Sequence, residues 1–500
     1  MAERELLLGC DIGSSSVKTT LLDAATGKAV AAGSSPHEEM PISSPQKGRA
    51  EQDPGMWWEN LVAAVQEAMR QADASPKEVR AIGIAYQMHG LVLVDKKQNV
   101  LRPAIIWCDS RAASVGDTAF HEIGEAYCLE HYLNSPGNFT ASRLKWVMEH
   151  EPETFKKADS MLLPGDYIAM RMTGETATTL TGLSEGVLWD FREKQPADLL
   201  LSYYGIPEKL LATAHPSFDL HGKLTGKAAK ELGLKKRTPV TYKAGDQPNN
   251  AFSLNVLNPG EAAATAGTSG VIYAVTDRPA FDPKSRVNTF MHVNNREQSP
   301  RNGVLLCVNG TGILNSWLKK ILTNESAFDY NDMNRLAMVA VPGSGGLTIL
   351  PFGNGAERIL ENREIGAQLL DLDLNRHGRA DLCRAVQEGI VFALRYGFDI
   401  MRDMGIEPKW VRAGRANMFQ SPLFRELFAD NTGAVLELYR TDGSEGAARG
   451  AGIGAGIFRD EQDAFIGLEK LEVIEPDKER VKVYDELYQN WLTGLSRFLP

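Results

Sequence analysis

The chain holds only five cysteines in 500 residues, Cys10, Cys108, Cys128, Cys307 and Cys383, far apart and with no C-x-x-C pair. An odd, scattered set excludes a disulfide scaffold and reads as reduced thiols. None of the nine histidines stands in H-E-x-x-H or a similar spacing, and Cys128-x-x-His131 is isolated, so no zinc site is expected. G-x-x-x-x-G-K-[ST] is missing, which removes a P-loop. Long apolar runs are missing too: Leu6-Leu7-Leu8 is cut short by Gly9 and Asp11, too brief for a spanning helix or a signal segment, and a cytoplasmic protein is expected. Positive charge is not in excess. Against 64 Asp+Glu the 54 Lys+Arg leave −10, a field that repels phosphate backbones and anionic lipid, so neither nucleic acid nor a membrane surface is expected as partner.

What is present is ordinary globular protein, 43% apolar and 24% charged, and 500 residues suffice for two large domains or about three smaller ones, each with its own core. Leu6 to Cys10 and Val17 to Asp23 read as strands around the turn Gly13-Ser14-Ser15. Asp53-Pro54 supplies N-cap and first-turn proline for a helix with Trp57, Leu61, Val65 and Met69 on one face. Further strands are expected at Val79 to Ala85, Leu91 to Asp95 and Val240 to Lys243. Tyr484, Leu487, Tyr488, Trp491, Leu495 and Phe498 recur at helical spacing in a closing amphipathic helix, whose aromatics suit a core. Mixed strands and helices make the class α/β.

One internal repeat stands out. GSSSVKTTLLD from Gly13 laid over GTSGVIYAVTD from Gly267 matches Gly13 with Gly267, Ser14 with Thr268, Ser15 with Ser269, Val17 with Val271 and Asp23 with Asp277. Each copy is a glycine-hydroxyl turn feeding a strand, early in its half of the chain. The repeat divides the chain into residues 1–244 and 245–500.

Such a turn presents successive N–H groups and hydroxyls to one point, which suits phosphate oxygens without net positive charge. Asp11 ahead of it can hold Mg²⁺ through water, and Lys18 can face the same phosphates; a tight hairpin with solvated Asp and Lys is the simpler alternative. Asp246, between a strand and the helix-like Ala251 to Leu257, is either a general base or a helix cap. Gln87 and His89 follow a strand and can project polar groups from its end, while Asp109 and Arg111 can form an internal ion pair. Ala413-Gly414 beside Asn417 can line one face of a purine, or form a plain loop; the small residues of Gly443 to Gly452 favour close helix packing.

Taken in order, these pieces resemble the FGGY carbohydrate kinases over nearly the whole chain. DIGSSSVK at Asp11, EQDP-x-x-WW at Glu51, AYQMHG at Ala85, RPAIIWCDSR at Arg102, LLPGDYIAMRMTG at Leu162, Asp246, GTSG at Gly267, PFGNGAER at Pro351 and AVQEGIVFAL at Ala385 carry the likeness. AYQMHG and RPAIIWCDSR resemble the branch acting on D-xylulose. Gly245-Asp246-Gln247 is closer to the glycerol-kinase branch, and the adenine-side glycine loop is altered to Arg412-Ala413-Gly414-Arg415-Ala416-Asn417. Ribulose, gluconate and glycerol therefore stay open as acceptors.

The resemblance implies two ribonuclease-H-like domains of the actin, Hsp70 and hexokinase type with an interdomain cleft. It implies ATP and Mg²⁺, with Asp11 as the metal residue. Gly13, Ser14, Ser15, Lys18, Gly267, Thr268, Gly310, Ala413, Gly414 and Asn417 would serve the nucleotide, and Gln87, Met88, His89, Asp109 and Asp246 the sugar. Asp246 would be the catalytic base; a homodimer is left open. A different class, a nucleotide-driven interaction protein of the same fold, would have no need of the polar set at Gln87, His89 and Asp109. If the paired turns grip phosphate, Gly267→Val weakens ATP binding in calorimetry while sugar binding persists; unchanged nucleotide affinity in the folded variant would make the repeat structural only.

Overall fold

The computed structural model describes residues 4–323 and 328–499. It divides into two compact units. The first comprises the chain up to Asn255 with Phe290–Asn302 and Thr441–Leu468; the second comprises Val256–Thr289, Gly303–Arg440 and the chain from Glu469 onward.

The first unit is built on β1 (Leu6–Ile12), β2 (Val17–Asp23), β3 (Ala29–Ser35), β4 (Val79–Tyr86) and β5 (Val240–Gly245), ordered β5-β4-β1-β2-β3. The first three strands are antiparallel neighbours, and β4 and β5 add in parallel. Both faces of β1 are buried, so it reads as a continuous apolar run rather than an alternation. Leu6, Leu8, Cys10 and Ile12 share a core with Trp57, Leu61 and Val65 of the Pro54–Gln71 helix. That helix starts where the sequence places it, with the Asp53 side chain accepting from Gly55 N–H at 2.8 Å.

The opposite face of the sheet, with Leu7 and Gly9, takes the Gly443–Gly454 helix. A Cβ at Gly9 would fall on the Ser444 carbonyl, and one at Gly83, its partner on β4, on the Ala447 carbonyl. The small-residue stretch is thus a close-packing device, as its composition suggests. This helix explains why the compact units do not follow a linear cut after residue 244. It belongs with β1 and β4, and the Asp246–Ser253 helix continues from β5 without a break.

The second unit repeats the plan. Its sheet runs through β6 (Glu261–Ala266), β7 (Gly270–Thr276), β8 (Asn288–Met291), β9 (Asn302–Val308), β10 (Trp410–Gly414), β11 (Val435–Arg440) and β12 (Glu469–Ile474), ordered β8-β9-β7-β6-β10-β11-β12, with the last two residues of β8 and the first of β9 counted in the Phe290–Asn302 segment of the first unit. The stretch β9-β7-β6-β10-β11 has the same order as β3-β2-β1-β4-β5. The matched turns fall at the same place in both, between the first two strands. Its core receives Tyr484, Tyr488, Trp491 and Leu495 from the Lys478–Ser496 helix, so those aromatics are packing residues; Phe498 lies beyond the helix end. Among the described residues no helix is long and apolar enough to cross a membrane.

Gly83→Ala tests the close approach. The methyl group cannot enter without moving the Ala447 backbone, and overpacking of this kind costs about 1–3 kcal/mol. Urea unfolding is expected to show a loss in that range or above; an unchanged midpoint would mean that the helix shifts freely.

Candidate active site

In the first unit Asp11 and Lys18 are cross-strand neighbours flanking the turn. Gly13 N–H closes the turn onto the Ser16 carbonyl at 3.1 Å. Two external bonds fix it: Gln52 Nε2 donates to the Ser14 carbonyl at 2.7 Å and Met40 N–H to that of Ser15 at 2.8 Å. Among the described residues the Ser14 and Ser15 amides donate to no chain acceptor, the state a phosphate oxygen requires.

Gln87, Met88 and His89 leave the end of β4. Gln87 N–H donates to the Ile12 carbonyl at 2.9 Å, and its side-chain Oε1 is buried with no hydrogen-bond partner among the described residues. His89 sits at φ +62°, a left-handed conformation uncommon for a residue other than glycine. Its Nδ1–H donates to the Glu185 carbonyl at 2.9 Å, which fixes the tautomer. Asp109 is wholly buried and both its oxygens are engaged inside the chain, Oδ2 by Ala50 N–H at 2.6 Å and Arg111 Nη2 at 2.7 Å, and Oδ1 by Arg111 N–H and Nε at 2.9 Å each. It forms the internal ion pair and shapes the loop after Trp107. Asp246 is the first residue of its helix, with Gly245 in the cap position, so it is not the cap.

Three residues here escaped sequence reasoning. Arg143, buried on the Thr140–His150 helix, donates to the carbonyls of His89, Trp107 and Asp109 and so ties the two polar loops together. Desolvation lowers its pKa to about 10, which leaves it charged at neutral pH. Asn138 donates to the Asp109 carbonyl while its Oδ1 is buried without a partner among the described residues. Glu185 is buried against His89 and Gly245. None lies in a motif, and only an uncompensated polar residue within an apolar stretch could have flagged them.

In the second unit a pocket of about 380 Å³ opens beside the matching turn, lined by Gly267, Thr268, Asn315, Tyr330, Asn417 and Ser421 among others. Gly312 N–H donates to the Gly267 carbonyl at 2.9 Å and Ile313 N–H to that of Thr268 at 3.1 Å, so the Gly312–Leu322 helix starts against the turn. Asn417, at φ +52°, faces this pocket; Ala413 is fully buried in its strand and neither it nor Gly414 lines the pocket. Gly310 does not line the pocket; its N–H donates to Glu357 Oε1 at 3.1 Å.

Two family models cover most of the chain: the N-terminal domain of the FGGY family of carbohydrate kinases matches residues 6–253, and its C-terminal domain residues 262–457. The chain belongs to the FGGY family of carbohydrate kinases. This FGGY kinase is 32% identical to the Escherichia coli protein named xylulose kinase, over 99% of both chains. A solved xylulose kinase from Rhodospirillum rubrum superposes with TM-score 0.88 at 26% identity, covering 99% of each. A gluconate kinase from Lactobacillus acidophilus shares the fold, with TM-score 0.89 at 21% identity over 99% of this chain and 98% of that one.

Two acids of the FGGY kinase's first unit, Asp246 and Asp11, are held above their usual range. Desolvation, with the Asp11 charge second, pushes Asp246 up to about 7; desolvation and Asp442 push Asp11 up to about 6, against the pull of Lys18. No group of three or more His, Cys, Asp or Glu suited to a metal occurs among the described residues. What the site offers is a desolvated, unneutralised carboxylate, which fits a Mg²⁺ ion that keeps most of its waters.

The raised Asp246 sets the sign of a pH dependence. The folded state binds its proton more tightly than the unfolded chain does, so this contribution to stability is full below the ordinary carboxylate pKa and is lost as pH rises through about 7. In metal-free buffer, unfolding free energy is expected to fall from pH 5 to pH 8, and Asp246→Asn to flatten that slope. Identical slopes in the two proteins would contradict the shift.

Proposed function

We propose that this carbohydrate kinase transfers the γ-phosphoryl group of ATP to a primary hydroxyl of a ketose, D-xylulose before other acceptors. The observation that carries the reading is the Gln87-Met88-His89 strand end and the helix-starting Asp246 in one unit, within a chain similar along its whole length to proteins named xylulose kinase.

In this reading Asp246 takes the proton from the attacking hydroxyl, and a pKa near 7 suits a general base at neutral pH. Gln87 Oε1, buried and unpartnered, accepts a sugar hydroxyl, with Met88 and His89 beside it. Asp109 acts at one remove, shaping the loop from within. The amides of Ser14 and Ser15, in the turn that Gly13 opens, with Lys18, and the turn at Gly267 and Thr268 receive phosphate oxygens. Asp11 holds Mg²⁺, which when bound neutralises phosphate charge. The adenosine end falls to the pocket with Asn417, Asn315 and Ser421; Gly310 is anchored to Glu357, and Ala413 and Gly414 stay in their strand outside the pocket lining. Phosphoryl transfer asks chiefly for positioning and charge neutralisation, so no covalent intermediate is needed.

ADP release across D-xylulose, D-ribulose, gluconate and glycerol tests the acceptor. D-xylulose is expected to give the highest kcat/KM, with little ADP formed when no sugar is added. A clearly higher value for glycerol or gluconate would move the acceptor, in line with Gly245-Asp246-Gln247.

A further inference from the structure

Glu185 ends the short Leu180–Glu185 helix and is almost wholly buried in the first unit, yet no part of the reaction described above uses it. Its surroundings are specific. The carboxyl Oε1 accepts from His89 N–H at 3.1 Å, and the main-chain carbonyl accepts from His89 Nδ1 at 2.9 Å, so one residue grips both the backbone and the ring of His89. The other carboxyl oxygen, Oε2, lies against Gly245. A Cβ built there would come within 2.6 Å of it and within 2.5 Å of Met88 Cγ. Gly245 is the cap from which the Asp246 helix starts.

The carboxyl therefore stands between two pieces of chain that must keep register. On one side is the strand end carrying Met88 and His89, whose left-handed backbone at His89 needs fixed partners. On the other is the Gly245-Asp246 corner. We infer that Glu185 is a positioning residue for Asp246: its side chain clamps the Gly245 corner against His89 and so sets the aim of the base at the sugar hydroxyl.

The clamp uses the length and shape of the side chain rather than its charge. Burial, with the Asp246 and Asp166 charges nearby and against the pull of His89 N–H, holds the Glu185 carboxyl well above the usual range. A misplacement of about 1 Å in a reacting group costs roughly a hundredfold in rate. Shortening the side chain by one methylene withdraws both oxygens and frees the corner.

This inference rests on Asp246 being the base, and the test separates the two. Full-length Glu185→Gln, Glu185→Asp and Asp246→Asn are compared for kcat, for KM toward sugar and ATP, and for melting temperature. Asp246→Asn is expected to lose at least about a hundredfold in kcat, the low end for a general base; near-normal kcat there overturns the base, and the clamp with it. With Asp246 upheld, Glu185→Asp should lose at least tenfold in kcat with both KM values within threefold. Glu185→Gln, of equal reach and without an acidic proton, should recover a third or more of the wild-type kcat. Wild-type kcat in Glu185→Asp overturns the clamp alone. So does an equal loss in Glu185→Gln, which would mean that the acid group and not the shape matters.

Discussion

The first unit depends on one contact, the seating of the Gly443–Gly454 helix on bare backbone at Gly9 and Gly83. Removing side chains at two adjoining sheet positions lets the helix lie closer than an ordinary helix-on-sheet distance. Its start then comes against Asp11, so closely that a Cβ at Gly443 would fall on Asp11 Oδ2. The helix carrying Asp246 is fixed to the same support, with Asn249 Nδ2 donating to the Gly443 carbonyl at 2.8 Å and Gly446 lying under Ser253. Both acids are thus referred to one helix terminus. Their mutual repulsion is built in by backbone packing and needs no charged scaffold.

A second support lies behind β5. Lys243, fully buried, donates to Asp166 Oδ1 at 2.7 Å and to the Ala177 carbonyl at the same distance. A buried pair of this kind contributes little net stability, but removing one partner strands a charge. Its value here is geometric, because Lys243 stands two residues before Gly245. The last half of the strand that launches Asp246 is tied twice, by the ion pair at Lys243 and by Glu185 at the corner.

The legible parts of the sequence were those with local causes. The Asp53-Pro54 start, the closing aromatic helix and the two matched turns each follow from a cap, a period or a short motif, and each appears where the residues put it. Asp246 was legible as an acid at a helix start, though its place one residue inside the cap depended on Gly245, whose neighbours are distant in sequence. Ala413 looked available for a purine because small residues suggest close approach; strand register instead sends its side chain into the core. Arg143, Asn138 and Glu185 were invisible for the same reason. Each acts through carbonyls and amides that tertiary folding alone brings near.

The interleaving of the chain also has a temporal side. The helix that covers Gly9 and Gly83 belongs to a segment beginning at Thr441, while the bulk of the same unit ends at Asn255. At roughly 5–20 residues per second, synthesis reaches the later segment about ten to forty seconds after the earlier part has been made. Through that interval one face of a five-stranded sheet waits on the ribosome without its cover. With glycine rather than leucine at Gly9 and Gly83, the waiting surface is less sticky where it is barest. The pair that permits tight docking in the finished molecule thus also tempers the hazard of its late arrival.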